Sequence, residues 1–171
     1  MAAHRTTKIS GIDVPILGDE IRVGQKAPEF TGTAHDWSRV KALESSKGTV
    51  RVLAAVPSLE TSVCDRETRR FNVEAANVSG DVRIFVISAD LPYTQKRWCG
   101  AAGVDRVITL SDHMEAEFGL KYGCLVRERR ILSRAVFVVG RDDKVVYSAY
   151  MPVLGDEPDY EAVLTAVRNA L

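Results

Sequence analysis

The chain has 171 residues, of which 46% are hydrophobic, and this is enough for one domain over residues 1–171 to bury a continuous core without disulfides or metal ions. Lysine and arginine together number 23, as do aspartate and glutamate, so the formal net charge is zero. A nucleic acid or an anionic membrane surface is therefore not expected as the main partner.

The N-terminal part of the chain predicts a β-hairpin. Residues 1–10 contain no apolar segment of the kind found in secretion signals, and nowhere does the chain approach the roughly 18 consecutive apolar residues of a membrane span. Residues 8–23 alternate apolar residues with turn formers, which is typical of a short surface hairpin. Residues 24–28 interrupt that pattern, and a polar stretch that contains Trp37 leads to a turn cluster at 45–48.

A buried strand followed by a helix is predicted in the next segment. The apolar run from Val50 to Val56 is typical of such a strand, and Pro57 terminates it. Thr61 or Ser62 then offers an N-cap for a helix, which places Cys64 in the first helical turn. There the unpaired backbone N–H groups and the positive end of the helix dipole favour the thiolate over the thiol. Cys64 is therefore a candidate nucleophile.

The spacing around Cys64 strengthens this prediction. A free cysteine is often a buried, inert residue, and position alone leaves that alternative open. The pattern Pro57-x-x-x-Thr61-x-x-Cys64, however, places a hydroxyl three residues before the sulfur on the same helix-entry turn. A hydroxyl at that position is able to bond either the thiolate or an incoming oxygen.

Helices and strands alternate after this point. The helix that holds Cys64 is expected to end near residues 79–80, and the β-branched residues of 82–88 predict the next strand. Pro92 predicts the first turn of a helix that runs to Ala102, and residues 106–110 predict a further short strand. Strand, helix and strand together form a βαβ unit.

The C-terminal part predicts an antiparallel hairpin and a last helix. Residues 134–139 and 144–150 have strand character and flank turn formers at 140–143. Pro158 opens the helix, which carries an apolar stripe. A parallel βαβ portion followed by such a hairpin and helix is typical of a thioredoxin-like α/β domain with a mixed sheet flanked by helices. The pattern alone also allows another α/β domain with a mixed sheet.

Two long motifs carry a family resemblance. The segments Pro57-Ser-Leu-Glu-Thr-Ser-Val-Cys-Asp65 and Ser88-Ala-Asp-Leu-Pro-Tyr-Thr-Gln-Lys-Arg-Trp-Cys99 resemble the thiol peroxidase subfamily of the peroxiredoxins, in its atypical form with two cysteines in one chain. Further matches lie in residues 24–30, 109–112 and 134–138, so the resemblance covers nearly the whole chain. It implies a thioredoxin-like fold.

The resemblance also implies roles for five residues. Cys64 is the peroxidatic cysteine, whose thiolate attacks the peroxide and becomes a sulfenic acid. Thr61 bonds the thiolate and the peroxide oxygen, and Pro57 shapes the loop and shields the sulfur from water. Arg134 stabilises the anions with its planar fork of donors. Cys99 is the resolving cysteine, which condenses with the sulfenic acid to form a disulfide.

Each of these roles has a plainer alternative. Thr61 as a helix cap and Pro57 as a strand terminator are both compatible with the catalytic roles. Arg134 taken alone reads as a surface arginine at the start of a strand, and Cys99 taken alone reads as a core residue. Bridging Cys64 and Cys99 requires Cα atoms within about 7 Å, so partial unwinding of one or both helices is expected unless the two sulfurs already face each other.

The function implied by the resemblance is a thioredoxin-dependent peroxidase that acts on hydrogen peroxide and organic hydroperoxides, without metal, haem or flavin. The family also implies a homodimer. An alternative of a different class is a redox-sensing interaction protein that the same disulfide switches. A thioredoxin-like domain without catalytic activity is a third and weaker interpretation, because the chain retains the matched active-site residues.

The remaining reactive residues receive no catalytic role. Three widely spaced cysteines match neither a disulfide framework nor a zinc-ligand pattern, which favours redox-active thiols in a reducing cytoplasm. Cys124 is expected to be a small apolar core residue. The loop 127–133 is shorter than the usual family segment and lacks its glycines, and its charged residues are expected to face solvent. His4, His35 and His113 show no spacing for a metal site or a Cys–His pair.

Overall fold

The computed structural model describes residues 5–171, so His4 lies outside the described residues. The strands are β1 Arg5–Ile9, β2 Ile12–Leu17, β3 Thr31–Thr33, β4 Arg39–Lys41, β5 Val50–Ala55, β6 Val82–Ser88, β7 Ile108–Ser111, β8 Leu125–Val126, β9 Ile131–Leu132, β10 Ala135–Val139 and β11 Val145–Tyr150. The helices are α1 Ala42–Ser45, α2 Ser62–Asn77, α3 Pro92–Ala102, α4 Glu117–Lys121 and α5 Tyr160–Ala170.

The central sheet has seven strands in the order β11-β10-β5-β6-β7-β3-β4. β5, β6 and β7 are parallel, whereas β10 is antiparallel to both β5 and β11. The predicted βαβ unit and the predicted closing hairpin are therefore confirmed. The carboxyl ends of β5 and β6 lie side by side at one edge of this sheet, and the segments that hold the two motif cysteines follow them.

Both faces of the central sheet are buried, because alternate residues of β5 enter two different apolar clusters. Val52 and Ala54 pack on the face that also contains residues of α2, α3 and α5. Leu53 and Ala55 pack on the opposite face, with residues of α1 and α4. The fold is thus a mixed sheet flanked by helices, which confirms the predicted α/β class.

The predicted N-terminal hairpin is present as β1 and β2, which turn through Ser10 and Gly11, both with positive φ. It forms part of a second, four-stranded sheet in the order β1-β2-β8-β9. The sequence analysis did not predict β8 and β9, because each has only two residues. It also missed the β3–β4 hairpin, which lies in the polar stretch around Trp37.

Several element boundaries differ from the prediction by one to three residues. The strand expected at 106–110 begins at Ile108, and α2 ends at Asn77. The last helix begins at Tyr160, because Asp159 is its N-cap and accepts a hydrogen bond from the Ala162 N–H at 3.0 Å. Pro158 therefore precedes the cap instead of occupying the first helical turn.

Candidate active site

The turn between β5 and α2 positions Cys64. Pro57 is buried two residues after the end of β5, and α2 begins at Ser62 with Thr61 as its N-cap. The Thr61 hydroxyl accepts a hydrogen bond from the Cys64 N–H at 3.4 Å. The structure therefore confirms that Cys64 lies in the first turn of the helix, and its side chain is fully buried.

Two donors converge on the Cys64 sulfur. The Thr61 hydroxyl lies 2.7 Å from Sγ, and Nη2 of Arg134 lies 3.3 Å from it. Thr61 Oγ1 also lies 3.1 Å from the Ser58 carbonyl, and its single proton points at one acceptor at a time. When the sulfur is a thiolate, it is the stronger acceptor, because a hydrogen bond to an ionised group is about twice as strong as a neutral one.

Arg134 is the residue just before β10, and its side chain extends to the Cys64 sulfur. Its side chain is buried, and Nε donates to the Leu154 carbonyl at 3.2 Å while Nη1 pairs with the Glu67 carboxylate. Burial alone would lower the pKa of Arg134, but Glu67 and Cys64 outweigh it and raise the pKa. The guanidinium therefore keeps its charge and all three of its nitrogens have fixed partners.

Glu67 is a site residue that the sequence analysis missed. It follows Cys64 by three residues on α2, so both side chains lie on one helix face, and this spacing was the available signal. The carboxyl is fully buried, and burial raises its pKa to about 7 although Arg134 opposes the shift. Among residues 5–171 its Oε1 has no hydrogen-bond partner.

Asp90 is a second residue that was missed, although it lies within the second motif. Its carboxylate accepts hydrogen bonds from the Ser58 hydroxyl at 2.7 Å, the Leu59 N–H at 2.8 Å and the Ser88 hydroxyl at 2.8 Å. The loop after β6 is thereby tied to the loop that leads to Cys64. This network connects the turn before Cys64 to the end of the neighbouring strand β6.

Cys99 lies in α3 and is 8% exposed. Its sulfur is 3.8 Å from the Thr109 hydroxyl, and burial raises the pKa of the thiol while that bond opposes the shift. Cys64 and Cys99 belong to one apolar cluster, but both are free thiols with different polar partners. Forming a bond between them would replace these polar contacts of the two sulfurs with an S–S bond.

Direct contacts hold the two cysteine segments together. The Trp98 indole N–H donates to Asp65 Oδ1 at 3.2 Å, and these residues are the sequence neighbours of Cys99 and Cys64. Arg69 of α2 donates to the carbonyl of Ala102 at the end of α3 at 3.1 Å. The segments that hold Cys64 and Cys99 therefore pack against each other through polar contacts as well as through the apolar cluster.

Cys124 is fully buried, as expected for an apolar core residue, and its sulfur donates to the Tyr122 carbonyl at 3.3 Å. Burial raises the pKa of this thiol, which keeps it protonated. The charged residues of the neighbouring loop, 127–130, are all exposed, so the prediction that they face solvent is confirmed.

Residues 5–171 contain neither a metal-binding cluster nor a membrane-spanning helix. No group of three or more histidine, cysteine, aspartate or glutamate side chains in that range has an arrangement that would hold a metal ion. None of the helices there combines the length and the apolar character that crossing a membrane requires.

Comparison with known proteins identifies the family. The family model described as Redoxin matches residues 22–164. The chain is 55% identical to the thiol peroxidase of Oceanobacillus iheyensis over 89% of its own length and 92% of that protein. It is 48% identical to the thiol peroxidase of Halalkalibacterium halodurans, over 94% of this chain and 96% of the relative.

Solved structures agree with this assignment. A peroxiredoxin-like protein from Aquifex aeolicus superposes with a TM-score of 0.90 and 34% identity, with all of both chains covered. The thiol peroxidase from Chromobacterium violaceum superposes with a TM-score of 0.84 over 97% of both chains, and at 22% identity this likeness shows the fold alone. The thioredoxin-like fold is thus confirmed. The chain belongs to the Redoxin family and, within it, to the thiol peroxidases of the peroxiredoxin superfamily.

Proposed function

We propose that this thiol peroxidase reduces hydrogen peroxide and organic hydroperoxides with Cys64 as the nucleophile. The observation that carries the proposal is the convergence of the Thr61 hydroxyl and the Arg134 guanidinium on one buried sulfur at a helix N-terminus. Each of these groups stabilises a thiolate. Each is also a preorganised donor for the oxygen on which negative charge develops.

The first step is an attack of the Cys64 thiolate on one peroxide oxygen. An S–O bond forms and the O–O bond breaks, and the departing oxygen takes a proton to leave as water or an alcohol. Thr61 and Arg134 stabilise the charge as it moves from sulfur to oxygen. Glu67 acts indirectly, because its pairing with Arg134 fixes the guanidinium in the orientation in which Nη2 donates to the Cys64 sulfur.

The second step joins Cys99 to the sulfenic acid of Cys64, with loss of water and formation of a disulfide within the chain. A thioredoxin-type dithiol then reduces that disulfide by exchange. The step includes local unfolding, because each sulfur now has its own polar partner and the Trp98–Asp65 bond joins the two segments.

The proposal also includes a homodimer that acts in the cytoplasm. An exposed aromatic cluster supports a self-association surface: the Trp37 ring lies 5.1 Å from the Tyr93 ring and 5.5 Å from the His113 ring, measured between centroids. Tyr93 is 68% exposed and Met114, close by in sequence to His113, is 54% exposed. The three free thiols are compatible with a reducing compartment.

A coupled assay tests the function. Consumption of NADPH is followed with thioredoxin, thioredoxin reductase and a panel containing hydrogen peroxide, cumene hydroperoxide and tert-butyl hydroperoxide. The wild-type protein is expected to turn over steadily. Cys64→Ser is expected to abolish turnover, because a serine hydroxyl does not ionise near neutral pH. Oxidation of Cys64 without turnover would instead favour the redox-sensing alternative, since a sensor need not cycle. Turnover in Cys64→Ser would place the nucleophile elsewhere.

A further inference from the structure

A chain of three polar groups leads from the groove beside α3 to Cys99. His35 Nε2 lies 2.5 Å from the Thr109 hydroxyl, and that same hydroxyl lies 3.8 Å from the Cys99 sulfur. Thr109 is buried in β7, and His35 is half-buried in the loop between β3 and β4. All three residues line one open groove with a volume of about 720 Å³.

We propose that His35 and Thr109 form a proton relay that activates the resolving thiol of Cys99. The proposal rests on the resolving role given to Cys99 above. His35 acts through Thr109 and does not touch the reacting sulfur, so it is a positioning and proton-accepting residue. The sequence analysis gave His35 no chemistry, because it found no spacing for a metal site or a Cys–His pair. The contact with Thr109 joins residues 74 positions apart in the chain.

The relay answers a chemical need of the resolving step. The nucleophile in that step is a thiolate, and burial raises the pKa of the Cys99 thiol, so a base has to accept its proton at neutral pH. Thr109 is able to accept the S–H proton and to pass its own hydroxyl proton to Nε2 of a neutral imidazole. The resulting imidazolium also favours the thiolate electrostatically.

Burial and the charges around His35 keep its imidazole neutral, so that Nε2 is able to accept a proton. Burial lowers the pKa of His35, the ammonium of Lys96 on α3 lowers it further, and Asp36 on the same loop opposes them. Asp105, from the turn before β7, is the other charged residue of the groove. An imidazole whose pKa lies below its usual range is uncharged at neutral pH, which is the form a proton acceptor needs.

The atoms and protons of the proposed step balance. The Cys99 proton moves through Thr109 to His35, a bond forms between the two sulfurs, and the S–O bond of the Cys64 sulfenic acid breaks. The departing hydroxide takes a proton from solvent and leaves as water. His35 then returns its proton to solvent through the open groove. The oxidant is the sulfenic acid that the first step supplies.

The relay predicts a distinctive pH profile for disulfide formation. With the relay, the proton that leaves the Cys99 thiol is held by His35. The thiol–imidazole pair and the thiolate–imidazolium pair therefore hold the same number of protons, so the rate of disulfide formation is nearly independent of pH around neutrality. The rate of disulfide formation falls in acid, where His35 is already protonated and is unable to accept the proton. This fall is expected below about pH 6.5, because the pKa of His35 is lowered from that value. Without the relay, the rate follows the thiolate fraction and rises about tenfold for each pH unit.

The experiment is a single-turnover measurement with one equivalent of hydrogen peroxide, between pH 5 and 9. Oxidation of Cys64 and formation of the disulfide are followed as separate phases by tryptophan fluorescence and by quenched-flow mass spectrometry. The variants are His35→Gln, which keeps a hydrogen-bond acceptor but takes up no proton, and Thr109→Val, which lacks the hydroxyl. Thr109→Ser restores the hydroxyl, and His113→Gln is the control for loss of a histidine outside the relay.

His35→Gln and Thr109→Val are expected to slow the disulfide phase about 10²-fold at pH 7 and to convert its profile to the tenfold slope, with the oxidation phase unchanged. Thr109→Ser should recover the native profile. A disulfide phase in His35→Gln with the native rate and profile would overturn the relay, because a structural role alone predicts that result. If the wild-type protein forms no Cys64–Cys99 disulfide at all, the resolving role itself is wrong.

Discussion

The carboxylate of Glu67 pairs with the guanidinium of Arg134 inside the protein, three residues after Cys64 on the same helix. Both side chains are almost completely removed from solvent. The pair aligns the arginine so that Nη2 points at the Cys64 sulfur while Nε is held by a backbone carbonyl. Helix α2 therefore supplies both Cys64 and the carboxylate that orients the cation beside its sulfur.

Replacing Arg134 is expected to slow the oxidation of Cys64. Arg134→Ala removes a charged donor to the sulfur and to the oxygen on which negative charge develops, so the oxidation rate should fall by about 10²-fold. It also leaves Glu67 buried without its partner, which lowers the free energy of unfolding. Arg134→Lys is the matched control, since it keeps the charge but loses the fork that serves Glu67, Leu154 and Cys64 together. If stopped-flow measurements gave an unchanged rate of Cys64 oxidation in both variants, Arg134 would have no role in that oxidation.

Glu67 is expected to make folding stability depend on pH. Its pKa in the folded protein is raised to about 7, above the value of 4.5 that an ordinary glutamate has. The folded state therefore binds the proton more tightly than the unfolded state, and this contribution is fully present below pH 4.5 and is lost as the pH rises to about 7. Urea denaturation of the reduced protein at intervals from pH 4.5 to 8 measures it.

Glu67→Gln supplies the control for that measurement. The variant should lack the part of the pH dependence that belongs to residue 67. Asp112 should still contribute in the same direction in both proteins, since burial raises its pKa to about 6. Identical slopes for the variant and the wild type across pH 4.5 to 7 would contradict the raised pKa of Glu67.

The hydroxyl of Thr61 is expected to serve the helix and the sulfur together. Thr61→Val removes the cap on the Cys64 N–H, which should cost about 1 kcal/mol of stability, and it removes the donor to Sγ, which should slow oxidation. Thr61→Ser keeps the hydroxyl and should retain most of both properties. If Thr61→Val lost stability but oxidised at the native rate, the hydroxyl would be a helix cap alone.

The sequence predicted the parts of the fold whose signals are local. Strands β5 and β6 are runs of mostly apolar residues, and α2 carries its own cap at Thr61, so these elements were predictable from neighbouring residues. The β3–β4 hairpin and the strands β8 and β9 were not, because they are short and their pairing depends on partners that are distant in the chain.

The residues of the site also differ in whether their signal in the sequence is local. Pro57, Thr61 and Cys64 lie within one turn, so their spacing alone placed them together. The contact between Arg134 and Cys64 joins residues 70 positions apart, and only the family resemblance pointed to it. Glu67 had a helical spacing that was available but not used, whereas the contact between His35 and Thr109 left no signal in the sequence, since tertiary folding alone creates it.

Loss of the Cys99 thiol should leave the proposed first step intact. Cys99→Ser is expected to consume one equivalent of peroxide per chain at the native rate but to fail to cycle with thioredoxin. With more peroxide it should progress to the sulfinic acid, because no thiol intercepts the sulfenic acid. Intact-mass spectrometry after graded peroxide measures both outcomes. Sustained thioredoxin-linked turnover in this variant would show that another thiol resolves Cys64, and Cys124→Ala is the control for that possibility.

Peptide mapping of the peroxide-treated wild-type protein tests the central claim most directly. After one equivalent of hydrogen peroxide and blocking of free thiols under denaturing conditions, the protein should migrate as a monomer on a non-reducing gel. Mass spectrometry should then find a single linked peptide pair that joins Cys64 to Cys99, with Cys124 carrying the blocking group. A disulfide-linked dimer, or a bridge from Cys64 to Cys124, would contradict the account.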